Sequence, residues 1–264
     1  MDCAAAAGRT ISDPCAGEST VIRLKNALAC SRCPARELGL CGGLDAVRSF
    51  CRSADAASSD DAFHRSPARS RIPHQEDAAE NASIICRGWA VSVLALPDGR
   101  RQIVSVLLSG DPFPPTGLFE PEHGRSVEAV TNVIYRKFKL NEVKSLLHRE
   151  PRLFFKISGF FMQERDASDQ LALDLGRRNA EQRIARMILR LRDRLLRRGL
   201  ADRTRMDFPL TRHQIADAAG LTPAHVSRVM KAFGDRNIVR AGDRSLILID
   251  LAALMRIAEE PGAI

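Results

Sequence analysis

Aromatic side chains are scarce: one tryptophan, one tyrosine and eleven phenylalanines make up 5 % of the 264 residues. So thin a supply argues against a surface of stacked bases, the platform on which single-stranded nucleic acid is held. No apolar run approaches the ~18 residues that a membrane-spanning helix needs. The opening residues, MDCAAAAGRTISDPC, have an alanine run but neither a basic head nor a leucine-rich stretch. No secretory signal is expected from them, and a cytoplasmic location follows. Neither a glycine-rich phosphate loop nor a nucleophile–base constellation is legible, so an enzyme is not expected. No cysteine follows Cys86, and a chain with its thiols gathered at one end does not read as a disulfide framework.

What is present is basic. Lysine and arginine number 40 against 32 acids, for a net charge of +8 and a pI near 9.5, a balance that suits a polyanionic partner. The length is enough for two domains, and 45 % apolar with 27 % charged residues is ordinary for a globular protein. The seven cysteines are Cys3, Cys15, Cys30, Cys33, Cys41, Cys51 and Cys86. Three of them fall in CSRCPARELGLC, residues 30–41, and in a reducing compartment such clustering leans towards metal or redox chemistry.

Residues 1–20 lack hydrophobic periodicity and are expected to be disordered. Residues 21–148 hold the cysteine segment and then β-rich runs. Those at 83–96 and 102–111 are joined by Pro97-Asp98-Gly99, a hairpin signal. A further strand pair is expected over 126–138, a weak strand near Arg71–His74, and only loop over the rest of 52–80. Short strands between turn residues predict an antiparallel barrel of jelly-roll type. A short helix is expected at 141–147, and a long one over 149–176, with Pro151 suited to its first turn. In that helix Leu153, Ile157, Phe160, Glu164, Ala167 and Leu171 alternate at four and three, the pattern of a dimer seam. A helix packed on its own barrel gives the same pattern. Residues 177–264 begin with an amphipathic helix at 179–198 whose apolar face holds Ile184, Met187, Ile188, Leu191 and Leu195.

LTRHQIADAAGLTPAHVSRVMKAFG, residues 210–234, is the most informative stretch. Thr211 suits the cap of one helix, Gly220 a tight turn, and Thr222-Pro223 the start of a second helix with Val226, Val229, Met230 and Phe233 buried. His225, Ser227, Arg228 and Lys231 lie off that apolar face. Two β-runs around Ala241-Gly242-Asp243 complete a winged helix-turn-helix. An arginine such as Arg228 reads guanine O6 and N7 bidentately, and Ser227 beside it is expected to read a base. Thr211, His213 and Lys231 are expected to meet phosphates of double-stranded DNA.

The order of barrel, seam helix and winged helix resembles the Crp/Fnr family of dimeric transcription regulators over roughly residues 28–255. The resemblance is carried by LPDGRRQIVSVLLSGD (96–111), RRNAEQRIARMILRL (177–191) and LTRHQIADAAGLTPAHVSRVMKAF (210–233). It implies an α+β fold with a cyclic-nucleotide-binding-like jelly-roll sensor, a homodimer on a palindromic operator, and RNA polymerase as a partner. CSRCPARELGLCGGLD is similar to the cysteine segment of the Fnr, FnrN and FixK-like oxygen-responsive branch, which implies an oxygen-labile [4Fe-4S] cluster. Cys30, Cys33 and Cys41 would supply three ligands. The family takes the fourth from a strand just before the short helix, where this chain has Arg136. Cys86, or failing it Cys51, would have to replace it. Zinc, a thiol redox switch at Cys30 and Cys33, or a segment that holds no metal remain alternatives, as do a constitutive dimer and, more remotely, a thiol or metal enzyme using that pair. The recognition helix departs too: Ala224 stands where Fnr relatives carry a glutamate that accepts from cytosine N4. Glu120 and Arg125 do not reproduce the family's arrangement for cyclic AMP.

Overall fold

The computed structural model describes residues 20–22, 63–73, 81–113, 124–149 and 151–259. The cysteine run at 30–41 and all but the last residue of the expected disordered N-terminus lie outside them. Nine strands form the N-terminal part: β1 (Thr20–Ile22), β2 (Phe63–Ser66), β3 (Arg71–Ile72), β4 (Asn81–Arg87), β5 (Ala90–Ala95), β6 (Arg101–Leu107), β7 (Pro112–Phe113), β8 (Arg125–Ala129) and β9 (Val133–Lys139). They make two antiparallel sheets, in the orders β1-β2-β9-β4-β7 and β3-β8-β5-β6. The β5–β6 turn falls at the expected Pro97-Asp98-Gly99, closed by Leu96 N–H donating to Arg100 O at 2.7 Å, with Gly99 in the left-handed region at φ 86°. β2 lies in a segment expected to be loop. It carries only one large apolar residue, and its pairing with β9 comes from far along the chain.

The sheets close on Ile85, Phe113, Val127, Val133 and Tyr135, with the Tyr135 ring edge-on to Phe113 at 5.4 Å. β5 is buried on both faces. Ala90 points into this interior, whereas Val91 and Val93 belong to a second core made with the C-terminal helices. That double burial explains why AVSV lacks the polar alternation of a half-exposed strand.

The helices are α1 (Leu140–Arg149), α2 (Pro151–Arg177), α3 (Ala180–Arg197), α4 (Arg212–Ala219), α5 (Pro223–Asp235) and α6 (Leu251–Glu259). Between them β10 (Arg205–Asp207), β11 (Val239–Ala241) and β12 (Ser245–Leu248) form a sheet in the order β10-β12-β11. Asn179 starts α3 with a reciprocal capping box to Gln182, so α2 ends and α3 begins across only Arg178 and Asn179. Ile184, Ile188, Leu191 and Leu195 of α3 pack with Ile215, Val226, Phe233 and Leu254 of the later helices. Val91, Val93, Ile103 and Val106 from the barrel's outer face join the same cluster. Among the described residues no helix is long and apolar enough to cross a membrane.

Candidate nucleic-acid interface

Each local signal in 210–234 is realised. Thr211 caps α4 by accepting from Gln214 N–H at 3.2 Å, while Gln214 Oε1 accepts from Thr211 N–H at 2.9 Å. Gly220 ends α4 at φ 63°, so its backbone favours glycine, and a Cβ there would oblige the tip of the Leu175 side chain, 2.6 Å away, to shift. Thr222 accepts from His225 N–H at 3.2 Å, and Pro223 opens α5. Val226, Val229 and Phe233 are buried and Met230 is half-buried. This anchors α5 by one face and leaves the other for a ligand.

On that other face Ala224, Arg228 and Lys231 are exposed, and so are Thr211 and His213 at the start of α4. His225 and Ser227 are half-buried. The Ser227 hydroxyl donates to Pro223 O at 2.9 Å, which leaves its oxygen as an acceptor towards a base. A guanidinium on an exposed helix face beside an acceptor and a small apolar side chain is suited to the edges of base pairs in the major groove. Gly242 to Arg244 form the turn of the wing, closed by Gly242 N–H donating to Ser245 O at 2.8 Å.

Two buried carboxylates hold the domain that carries α5. Asp174, near the end of α2, pairs with Arg178, with Arg186 Nε at 3.1 Å and with Arg190 Nη1 at 2.6 Å. Asp111, in the barrel loop after Gly110, pairs with Arg194 Nη2 at 2.5 Å and with Arg198, and accepts from Leu108 N–H at 2.8 Å. Burial pushes the Arg190 and Arg198 guanidiniums below their ordinary range, with the carboxylates opposing the shift. A third tie joins β6 to α4: Arg101 Nε lies 2.7 Å from Asp217 and Nη1 2.9 Å from Glu128. Burial works against the Arg101 charge, but the bond to Asp217 and the two carboxylate charges outweigh it and raise its pKa. None of these residues is conspicuous as a motif. The one signal available in the sequence was the four-residue spacing of Arg186, Arg190, Arg194 and Arg198.

The predicted dimer seam is only partly available to a partner. Leu153 falls in the first turn of α2. Ile157 is 1 % exposed within a single chain, while Phe160 and Leu171 are half-buried. The exposed large apolar residues include Phe155, Met162 and Leu173, which share one face opposite the predicted row at about 100° per residue. A four-and-three pattern marks an apolar stripe without saying which body it faces.

Of the predicted cluster ligands, Cys30, Cys33 and Cys41 lie outside the described residues. Cys86 sits at a bulge of β4, half-buried, its thiol donating to Ile84 O at 3.7 Å. Arg136 is 8 % exposed, its guanidinium 5.2 Å from the Phe138 ring centroid, and it pairs across the ladder with Ile84. Among the described residues no three His, Cys, Asp or Glu side chains gather as a metal site. Arg125 lies in β8 opposite Leu94, and Glu120 is outside the described residues.

A capped helix-turn-helix with a three-stranded wing, carried beside a closed antiparallel barrel by a 27-residue helix, defines a DNA-binding regulator with a built-in sensor-type domain. Residues 63–150 match the cyclic nucleotide-binding domain and residues 182–257 the Crp-like helix-turn-helix domain. The nitrogen fixation regulation protein FixK of Bradyrhizobium diazoefficiens is 30 % identical over 247 residues, covering 91 % of this chain and 98 % of that one. The transcriptional activator protein FnrL of Cereibacter sphaeroides is 29 % identical over 244 residues, 88 % of this chain and 92 % of its own. The solved structure of FixK2 from Bradyrhizobium japonicum superposes with a TM-score of 0.67 at 27 % identity, covering 75 % of this chain and 97 % of that chain. The chain belongs to the Crp/Fnr family, and these relatives place it on the Fnr/FixK-like branch. It is a transcription regulator rather than an enzyme.

Ala224 is exposed on α5 and has no group to accept from a cytosine amino group. Ala224→Glu is expected to shift the selected half-site towards one with a cytosine amino group to donate, worth about 1–3 kcal/mol of discrimination. Binding-site selection on both proteins checks this, and identical selected sites would refute it.

Proposed function

We propose that the protein is a homodimeric, cytoplasmic regulator that binds a palindromic operator and responds to oxygen or redox state through a [4Fe-4S] cluster. The exposed Arg228 on a capped, buried-face helix carries the DNA-binding half of this reading. Dimerisation through α2 is supported by the exposed Phe155, Met162 and Leu173, which share one face of that helix. RNA polymerase is the partner such a regulator meets at a promoter.

The sensing half rests on Cys86. The family's ligand position falls on Arg136, which pairs with Ile84, two residues from Cys86 on the adjacent strand. Neighbouring strands lie ~4.8 Å apart and residues along a strand advance ~3.3 Å, so the displaced thiol stays close to the family position. Its half-buried state fits a ligand that faces a covering segment. Cys30, Cys33, Cys41 and Cys86 would hold the cluster, whose iron favours thiolates and supplies oxygen lability. The buried Arg136 favours a second reading, a regulator without a cluster whose cysteines bind zinc, act as a thiol switch or are idle. Anaerobic purification with iron, acid-labile sulfide and zinc assays separates the two. About four irons per chain, bleached by air and reduced in Cys86→Ser, is the expected result. Absence of iron, or a full iron complement in Cys86→Ser, removes the cluster or the fourth ligand respectively.

A further inference from the structure

The four arginines at 186, 190, 194 and 198 run along one edge of α3 and its cap at a constant step of four, a row about 18 Å long. The row is gripped at two places. Its first half, Arg186 and Arg190, closes on Asp174 of the long helix at 3.1 and 2.6 Å. Its second half, Arg194 and Arg198, closes on Asp111 of the barrel. The second grip is deepened by Arg194 Nη1 donating to Val106 O at 2.8 Å and Arg198 Nε donating to Ser109 O at 2.9 Å. Both carboxylates are almost fully buried, with side chains 3 % and 7 % exposed. The grips lie on different bodies, so α3 cannot turn against either without separating charges held out of water.

We infer that this arginine ladder is the positioning device of the recognition helix: it fixes α5, through α3, to the barrel and to the dimer helix at once. A two-fold operator requires two recognition helices one helical turn apart, about 34 Å, and a domain free to swing loses affinity to the ordering it must undergo on binding. None of the four arginines lies on α5, so their effect reaches DNA only through orientation. Whatever signal the barrel receives has a direct route outward, because the loop bearing Asp111 is part of the barrel. The inference rests on the DNA-binding reading.

The test uses the full chain and a palindromic duplex recovered from a random pool by the unaltered protein. Asp111→Asn keeps the shape of the side chain and removes its charge. Its affinity for the selected duplex is expected to fall about tenfold. The slope of log affinity against log salt should stay unchanged, because that slope counts the phosphates neutralised. Affinity for a random duplex should also be kept. The reciprocal exchange, Asp111→Arg with Arg194→Asp, should recover part of the loss. Unchanged specific affinity, or an equal loss on selected and random duplexes, would overturn the inference. Should circular dichroism show Asp111→Asn unfolded, Arg198→Lys keeps the charge, loses the forked geometry and is held to the same outcomes. If the unaltered protein enriches no duplex, the DNA-binding reading falls and takes the ladder's role with it.

Discussion

Asp174→Ala is expected to destabilise the chain by about 3–5 kcal/mol, the range found when one partner of a buried ion pair is removed. The carboxylate is 3 % exposed and answers three guanidiniums, those of Arg178, Arg186 and Arg190. Without it three cations remain close together, and burial already pushes the Arg190 charge below its ordinary range. The loss should spread beyond the α2–α3 junction, since Arg183 Nη2 donates to Leu175 O at 2.8 Å and Nη1 to Ala219 O at 3.3 Å, tying the end of α2 to the end of α4. The surface offers an internal control. Arg165 and Asp169 are 3.9 Å apart and 72 % and 70 % exposed, so Asp169→Ala should change stability by less than about 0.5 kcal/mol. Urea unfolding followed by the fluorescence of Trp89, the single tryptophan and a member of the shared core, reads both variants. Equal midpoints for the two would remove Asp174 from the structural account.

Arg228→Ala should abolish sequence-specific binding while sparing non-specific binding. Its guanidinium is exposed on a helix whose opposite face is locked by Val226, Val229 and Phe233, so the fold loses nothing when the side chain is cut back. A bidentate contact to guanine is worth about 1–3 kcal/mol of discrimination, and a two-fold operator would count it in each half-site. Two such losses bring specific binding close to the non-specific level, which is carried by phosphates. Lys231→Ala provides the contrast: it should weaken all duplexes alike and lower the salt slope by about 1 for each phosphate it no longer neutralises. Fluorescence anisotropy on the selected duplex, with one base pair varied at a time, distinguishes them. A retained base preference in Arg228→Ala would place the reading of that pair elsewhere on the helix.

What could be read from the sequence was what neighbouring residues decide among themselves. Thr211, Gly220, and Thr222 with Pro223 act within one turn of their own backbone, and each was found as expected. The turn at Pro97-Asp98-Gly99 is of the same kind. What escaped depends on distant partners. β2 is a strand because β1 and β9 flank it, and PheHisArgSer alone gives no period to detect. Asp111 and Asp174 look like ordinary surface acids until the fold closes arginines around them. The row on α2 was visible as apolar, yet its spacing could not tell that Ile157 is already 1 % exposed within a single chain.

The single core that joins Val91, Val93, Ile103 and Val106 to α3, α4, α5 and α6 has a practical consequence. A fragment cut between α2 and α3, the natural place to isolate the DNA-binding part, would uncover Val91, Val93, Ile103 and Val106 on the barrel and the apolar side chains that meet them in the C-terminal part. Such fresh oily surfaces attract one another and other proteins. The two halves are therefore not interchangeable modules on a string. They behave as two walls of one room, and neither stands well after the other is taken down.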